Sequence, residues 1–192
     1  MKGTDTAQRS ALRKDAARNR CRIMDAARAL AHDRKPLQLN AVAQAADVGV
    51  GTVYRHFPTP EALIEALAAD QFRVLIRNAA AAPHTQQGLR DFLKAALTAY
   101  LQDDAFATAL TGPNPVTADI QHLRQLLQDG LRDLLARTAA GTLHPALSVA
   151  DIMLLLCGIG FAIRHAPDRD DPGLPDRYLS ALFDGVLTRH GE

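Results

Sequence analysis

From Leu37 to Thr59 the chain reads Leu37-Gln-Leu-Asn-Ala-Val-Ala-Gln-Ala-Ala-Asp-Val-Gly-Val-Gly-Thr-Val-Tyr-Arg-His-Phe-Pro-Thr59, and this stretch decides the fold of the N-terminal end. Val42, Ala43 and Ala46 stand at i, i+1 and i+4, the inner face of a short helix. Asp47-Val48-Gly49 follows as a tight turn, in which Gly49 tolerates the positive φ that such a corner demands. A second short helix runs from about Val50 to His56, with Val53 and Phe57 facing back toward the first. Two short helices across a turn of three or four residues containing Gly make a helix-turn-helix, whose second helix enters the DNA major groove.

The flanks agree with this reading. Upstream, a first helix is expected from Asp15 to about His32, with Ile23, Ala26, Ala27 and Leu30 as its inner stripe. It ends by Lys35, because Pro36 restricts the residue before it. Downstream, Thr59 is a good N-cap, Pro60 suits a first turn and Glu61 complements the positive helix end. That helix continues through Leu63, Leu67 and Phe72 to about Ala82, where Pro83-His84 breaks it.

Val48-Gly-Val-Gly-Thr-Val-Tyr-Arg-His-Phe57, followed by Pro58-Thr59 and the apolar helix start Glu61-Ala-Leu-Ile64, resembles the signature of the tetracycline-repressor (TetR) family. The match extends upstream to Arg20-x-x-Ile23-Met24-x-Ala26-Ala27, which is similar to that family's first helix. The resemblance covers roughly residues 18–67. It implies a three-helix DNA-binding head over about 1–58, with the motif at about 38–57, and a helical effector-binding and dimerisation domain over 59–192.

By this resemblance Val50, Gly51 and Arg55 face base edges, while Thr52, Tyr54 and His56 meet phosphates. The chemistry is compatible, since hydroxyls and an imidazole are neutral donors that set register without reading sequence. Arg55 can bond bidentately to guanine and Val50 can pack on a thymine methyl. The competing reading makes Tyr54 and His56 half-buried structural residues of the hairpin. Asn40 is an N-cap, a phosphate contact or both. Two departures stand out: Asp33-Arg34-Lys35 replaces the family's Gly at the end of the first helix, and Pro60 replaces a Lys or Arg that meets the DNA backbone. Thr59 is then the nearest polar substitute.

A net charge of +1 hides an asymmetry. Residues 1–35 carry ten Lys/Arg against four Asp/Glu, whereas residues 36–192 carry twelve against seventeen. A basic end on an otherwise acidic chain is the footprint of a nucleic-acid contact at that end only. Arg18, Arg20 and Arg22, on the helix beside the motif, are the candidate phosphate contacts. A solvated charged tail is the alternative, above all for residues 1–14.

The rest of the chain is read as helices over about 85–103, 104–110, 118–139, 149–165 and 175–190, separated by Gly- and Pro-containing loops. The fold class is therefore all-α. Phe92, Ala96, Tyr100, Phe106, Leu127, Cys157 and Phe161 are candidates to line a small-molecule cavity, mostly apolar with a few polar tips. Ordinary core packing is the alternative for each. The helix 149–165 is apolar nearly all round. With the closing helix it supplies candidate dimer-interface residues: Leu154, Gly158, Phe161, Leu179, Phe183 and Leu187. The resemblance implies an intersubunit four-helix bundle from these two helices.

No catalytic set is expected. Cys21 and Cys157 lie far apart without metal-ligand neighbours, and the seven His lack the helical spacing of a metal site. No cofactor and no metal are expected. The polar N-terminus lacks the apolar core of a secretory signal, and the longest apolar run, 152–163, is too short to span a bilayer. These features predict a cytoplasmic, ligand-responsive transcriptional regulator, a repressor and a homodimer. Its partners would be a palindromic double-stranded DNA operator and a small-molecule effector, with no membrane. The alternative is a helical ligand-binding or scaffolding protein with a degenerate helix-turn-helix.

Overall fold

The structure, a computed structural model, describes residues 3–33, 35–112, 114–138 and 146–186. Among these residues there are nine helices and no strand: α1 (Gly3–His32), α2 (Leu39–Ala45), α3 (Val50–His56), α4 (Pro60–Ala81), α5 (Gln86–Gln102), α6 (Asp104–Thr111), α7 (Ala118–Arg137), α8 (Val149–His165) and α9 (Leu174–Val186). The chain is all-α, as its periodicity indicates. Helix α1 starts about three turns before the expected Asp15; residues 3–14 hold no proline to stop it, and Ala7, Gln8, Arg9, Ala11, Leu12, Arg13 and Lys14 favour a helix. Leu187 and the expected end of the last helix near 190 lie outside the described residues.

Short polar side chains set most of the helix starts. Thr59 Oγ1 accepts from the Ala62 N–H at 3.2 Å, Thr85 from Gly88 at 3.1 Å, Asp103 from Phe106 at 2.9 Å and Thr117 from Ile120 at 3.4 Å. Ser148 and Asp151 cap each other's backbone at the start of α8. Each bond satisfies one amide that the helix itself leaves without a partner.

The chain divides into two compact units, residues 1–67 and 68–192. In the first, α1 packs against α2 and α3. Its core is Ile23, Ala27, Leu39, Val42, Ala43, Val53, Phe57 and Leu63, all buried. The second unit holds the rest of α4 with α5–α9. There α5 packs against α6, α8 and α9, and α8 packs against α7 and α9. Phe72 and Phe106 meet edge-on with ring centroids 4.9 Å apart at the centre of this larger core.

The corner between α2 and α3 differs from expectation. Asp47, not Gly49, takes the left-handed conformation, with φ of 49°. Gly49 is the extended N-cap of α3, at φ −62° and ψ 139°. At the end of α1 the backbone closes through the Lys35 N–H to the Leu30 carbonyl at 2.9 Å.

Candidate nucleic-acid interface

Helix α3 has seven residues, too few to stand alone, so its position depends on the side chains that anchor it. Val53 and Phe57 are buried and seat it on the head. Helical geometry then turns Val50, Gly51, Tyr54 and Arg55 outward, and all four are exposed, Tyr54 at 49% and Val50 at 43%. Thr52 and His56 are half-buried at the flanks of that face. A Cβ added to Gly51 would meet nothing within 4 Å, so nothing in this chain requires a glycine there. Its cost in helix stability, about 1 kcal/mol relative to Ala, goes uncompensated by packing. A bare backbone at this position suits close approach by something outside the chain.

Arg18, Arg20 and Arg22 of α1 are exposed but differently engaged. Arg18 bridges Asp15 on its own helix at 2.7 Å. The Arg20 guanidinium lies 4.8 Å over the Phe57 ring, which ties α1 to the residue that closes α3. Arg22 donates to the Asp47 carbonyl at 2.8 Å and to its carboxylate at 3.1 Å. Arg22 thus holds the helix-turn-helix corner, a role that its sequence neighbourhood does not reveal. The only sequence signal for it is an acidic residue where the turn needs a positive φ.

Burial, and then the positive charges of Arg20 and Arg55, lower the pKa of His56 below its ordinary value, so the imidazole is neutral at neutral pH. Asn40 is the second residue of α2 and exposed; the N-cap is Gln38, without a side-chain bond, so the capping role considered for Asn40 falls away. Thr59 is occupied as the cap of α4.

The body places the remaining candidates unevenly. A small, wholly apolar crevice, partly open to solvent, lies between α4–α8, and Phe92, Ala96, Phe106 and Leu127 line it. Leu75, Leu110, Leu131 and Met153 also line it and were not singled out from the sequence, where a lining leucine looks like any core leucine. Tyr100 and Cys157 sit instead in a small adjoining cluster with Ala107. Phe161 is 59% exposed, and its ring stacks on His165 at 4.1 Å. These three do not line the crevice. Burial pushes the Cys157 thiol up to about 11, the behaviour of an inert core cysteine.

Of the residues considered for a dimer surface, Leu154 is 64% exposed, and Gly158 and Phe161 are exposed on the same side of α8. Leu179 and Phe183 are buried in this chain's own core, because the inward stripe of α9 already packs on α5 and α8. They are not available as they stand to a second chain. Among the described residues no group of three His, Cys, Asp or Glu could hold a metal, and no helix is long and apolar enough to cross a membrane.

Two family models match the chain. The model of bacterial regulatory proteins of the tetR family covers residues 23–67, and that of the C-terminal domain of SbtR-like transcriptional regulators covers residues 83–188. No curated protein sequence matches significantly. Among solved structures, a TetR regulatory protein of Mycobacterium vanbaalenii is 29% identical, with TM-score 0.52 over 92% of this chain and 99% of that one. A TetR transcriptional regulator of Streptomyces coelicolor is 28% identical, with TM-score 0.53 over 90% of this chain and 99% of that one. FadR of Thermus thermophilus, a TetR-family repressor solved with lauroyl-CoA, is 20% identical, with TM-score 0.61 over 90% and 97% of the two chains. At that identity the likeness concerns the fold alone.

Proposed function

The chain belongs to the TetR family of bacterial transcriptional regulators, and from that membership we propose that it is a ligand-responsive repressor acting as a homodimer. It is a regulator and not an enzyme. The observation that carries the reading is the outer face of α3, where Val50, Gly51, Tyr54 and Arg55 are exposed around a buried Val53 anchor. In this proposal residues 1–58 are the DNA-binding head and residues 59–192 the effector-binding and dimerisation domain. Arg55 and Val50 read base edges, and Gly51 lets the backbone come close. Thr52, Tyr54 and His56 hold phosphates, with Arg18, Arg20 and Asn40 around them. Thr59 contributes its backbone cap and a hydroxyl near the same strand.

One short helix offers few base contacts, so specificity calls for two heads on half-sites about 34–36 Å apart in a palindromic operator. The exposed apolar stripe Leu154, Gly158, Phe161 of α8 supports a dimer surface, since such a stripe is stabilised when a second copy covers it. The apolar crevice of the body supports an effector site, and the relative from Thermus thermophilus was solved with a ligand, lauroyl-CoA. An effector that prefers a conformation with the heads wrongly spaced lowers DNA affinity by that preference. Helix α4, continuous from Pro60 to Ala81, is the covalent route for the signal. The protein would work in the cytoplasm, where its operator lies.

The experiment is to sequence the genomic fragments that the purified protein retains and to titrate one of them with salt. A palindromic consensus and affinity that falls steeply with salt are expected. Retention of no fragment above background would leave a helical ligand-binding protein whose helix-turn-helix no longer binds DNA.

A further inference from the structure

Helix periodicity puts Arg13, Ala17, Arg20, Met24 and Ala27 of α1 on one stripe, at i, i+4, i+7, i+11 and i+14. The two halves of that stripe differ in what covers them. Met24 and Ala27 are buried in the head, where α1 packs on α2 and α3. Arg13, Ala17 and Arg20 are exposed, and no side chain from Arg13 to Arg22 is buried. The face that seats α1 on the helix-turn-helix thus runs on toward the N-terminus uncovered. A helical stretch without a packed face is marginal in water, because packing supplies most of a helix's stability. A partner on the bare half of the stripe would stabilise it.

The stripe is also the part of α1 that keeps its positive charge. Arg18 and Arg22 lie on the far side of the helix, about 140–180° round from Arg13. Each is met there by a carboxylate, Asp15 at 2.7 Å and Asp47 at 3.1 Å. Among the described residues neither Arg13 nor Arg20 has an acidic partner. Arg20 lies instead 4.8 Å over the ring of Phe57, the residue after the end of α3, so this end of the bare stripe adjoins the exposed face of α3. Arg13 stands two turns farther out, about 10 Å along the helix. Between them Ala17 offers only a methyl group, so a chain of anions can come close and reach both guanidinium groups. Forked cations at that spacing suit a run of phosphates, each of which a guanidinium can hold with two bonds. We propose that Arg13 and Arg20 hold phosphates of the DNA strand beside α3, so that the outer turns of α1 form a second, sequence-independent contact of the head. This rests on the reading that α3 enters DNA, and extends the contact past the helix-turn-helix to Arg13.

The test is binding of the full chain to a short random-sequence duplex, followed by fluorescence anisotropy over a range of salt. Arg13→Gln should flatten the slope of log affinity against log salt by about one unit per bound head, and Arg13→Gln with Arg20→Gln by about two. Arg13→Lys should keep the wild-type slope, and Arg13→Gln should melt at the wild-type temperature. Lys14→Gln, about 100° round the helix from Arg13, should leave the slope as it is. An equal change in Lys14→Gln and Arg13→Gln overturns the proposal, since the charge then acts diffusely and not through one face. Vesicles of phosphatidylcholine and phosphatidylserine should not retain the protein. Retention that Arg13→Gln abolishes, with the duplex slope unchanged, gives the stripe to an anionic membrane surface instead. A wild-type slope that Arg13→Gln leaves untouched removes this proposal alone, whereas a wild-type protein that binds no duplex removes the DNA reading of α3 with it.

Discussion

Arg22 of α1 grips Asp47 twice, at its main-chain carbonyl (2.8 Å) and at its carboxylate (3.1 Å), and Asp47 is the residue whose φ of 49° turns the corner between α2 and α3. A side chain in that region of backbone space costs about 1–2 kcal/mol, least for Asp and Asn. The bonds from Arg22 offset part of that cost. They also orient the hairpin on α1 from outside the core.

Arg22→Gln should therefore lower the melting temperature of the protein, by the equivalent of about 0.5–1.5 kcal/mol for a bond to a charged donor at an exposed site. It should leave the salt dependence of DNA binding nearly unchanged. Arg20→Gln should instead flatten the slope of log affinity against log salt by about one unit. If Arg22→Gln flattens the slope and leaves the melting temperature alone, Arg22 is a phosphate ligand and its grip on Asp47 is incidental.

Tyr54 is half exposed on α3, and a Phe there keeps the ring and loses only the hydroxyl. Tyr54→Phe should weaken binding to every DNA sequence alike and leave thermal unfolding unchanged, as loss of a phosphate donor does. Arg55→Ala should cost about 1–3 kcal/mol at one base position of each half-site and relax preference there. Binding to a panel of single-base operator variants distinguishes the two patterns. Uniform loss from Arg55→Ala would make it a phosphate contact.

His56 has a lowered pKa, chiefly from burial and then from Arg20 and Arg55. The folded head binds this proton less readily than the unfolded chain, so its stability falls as pH drops from about 6.5 toward the lower folded value. DNA binding should move the other way. A phosphate beside His56 favours the imidazolium, so the complex takes up a proton and affinity rises over the same window. In His56→Gln both pH effects should shrink. An operator affinity whose pH slope is identical in wild type and His56→Gln removes His56 from the interface.

Leu154 and Phe161 are exposed whereas Phe183 is buried, which separates oligomer from fold. Leu154→Asp or Phe161→Asp should give a folded monomer with native helical content and lost operator binding, because a charge in a covered apolar seam is costly. Phe183→Asp should unfold the body itself. Sedimentation and circular dichroism check both. A Leu154→Asp, Phe161→Asp double variant that remains a dimer would place the seam on another face.

Gly158 and Gly160 look alike in sequence and behave differently in the fold. A Cβ on Gly160 would lie 2.3 Å from the Tyr100 ring, which is buried and carries the Arg164 guanidinium 5.0 Å from its centroid. Gly160→Ala should destabilise by about 1–3 kcal/mol through overpacking. A Cβ on Gly158 meets nothing within 4 Å. Gly158→Ala should raise the stability of the monomeric double variant, Leu154→Asp with Phe161→Asp, by up to about 1 kcal/mol through helix propensity. Equal melting shifts for the two substitutions would contradict this packing.

The helix-turn-helix was legible because its information is local. Val42, Ala43, Ala46, Val53 and Phe57 announce their burial by spacing alone, and all are buried. The cap Thr59 was equally legible, since a cap acts within three residues of itself. Three further features needed the tertiary structure. Arg22 and Asp47 lie 25 positions apart, so no local pattern links them. Gly49 seemed the natural left-handed residue, but the corner's path put that strain on Asp47, where a distant arginine could hold it. In the body, periodicity marked the wide apolar stripes of α5, α7, α8 and α9 without saying what each residue faces. Leu131 came to line a crevice, Leu154 to lie bare and Phe183 to close a core. Hydrophobicity is a property of the residue, whereas its partner is set by how several helices pack together, and that is decided only in three dimensions.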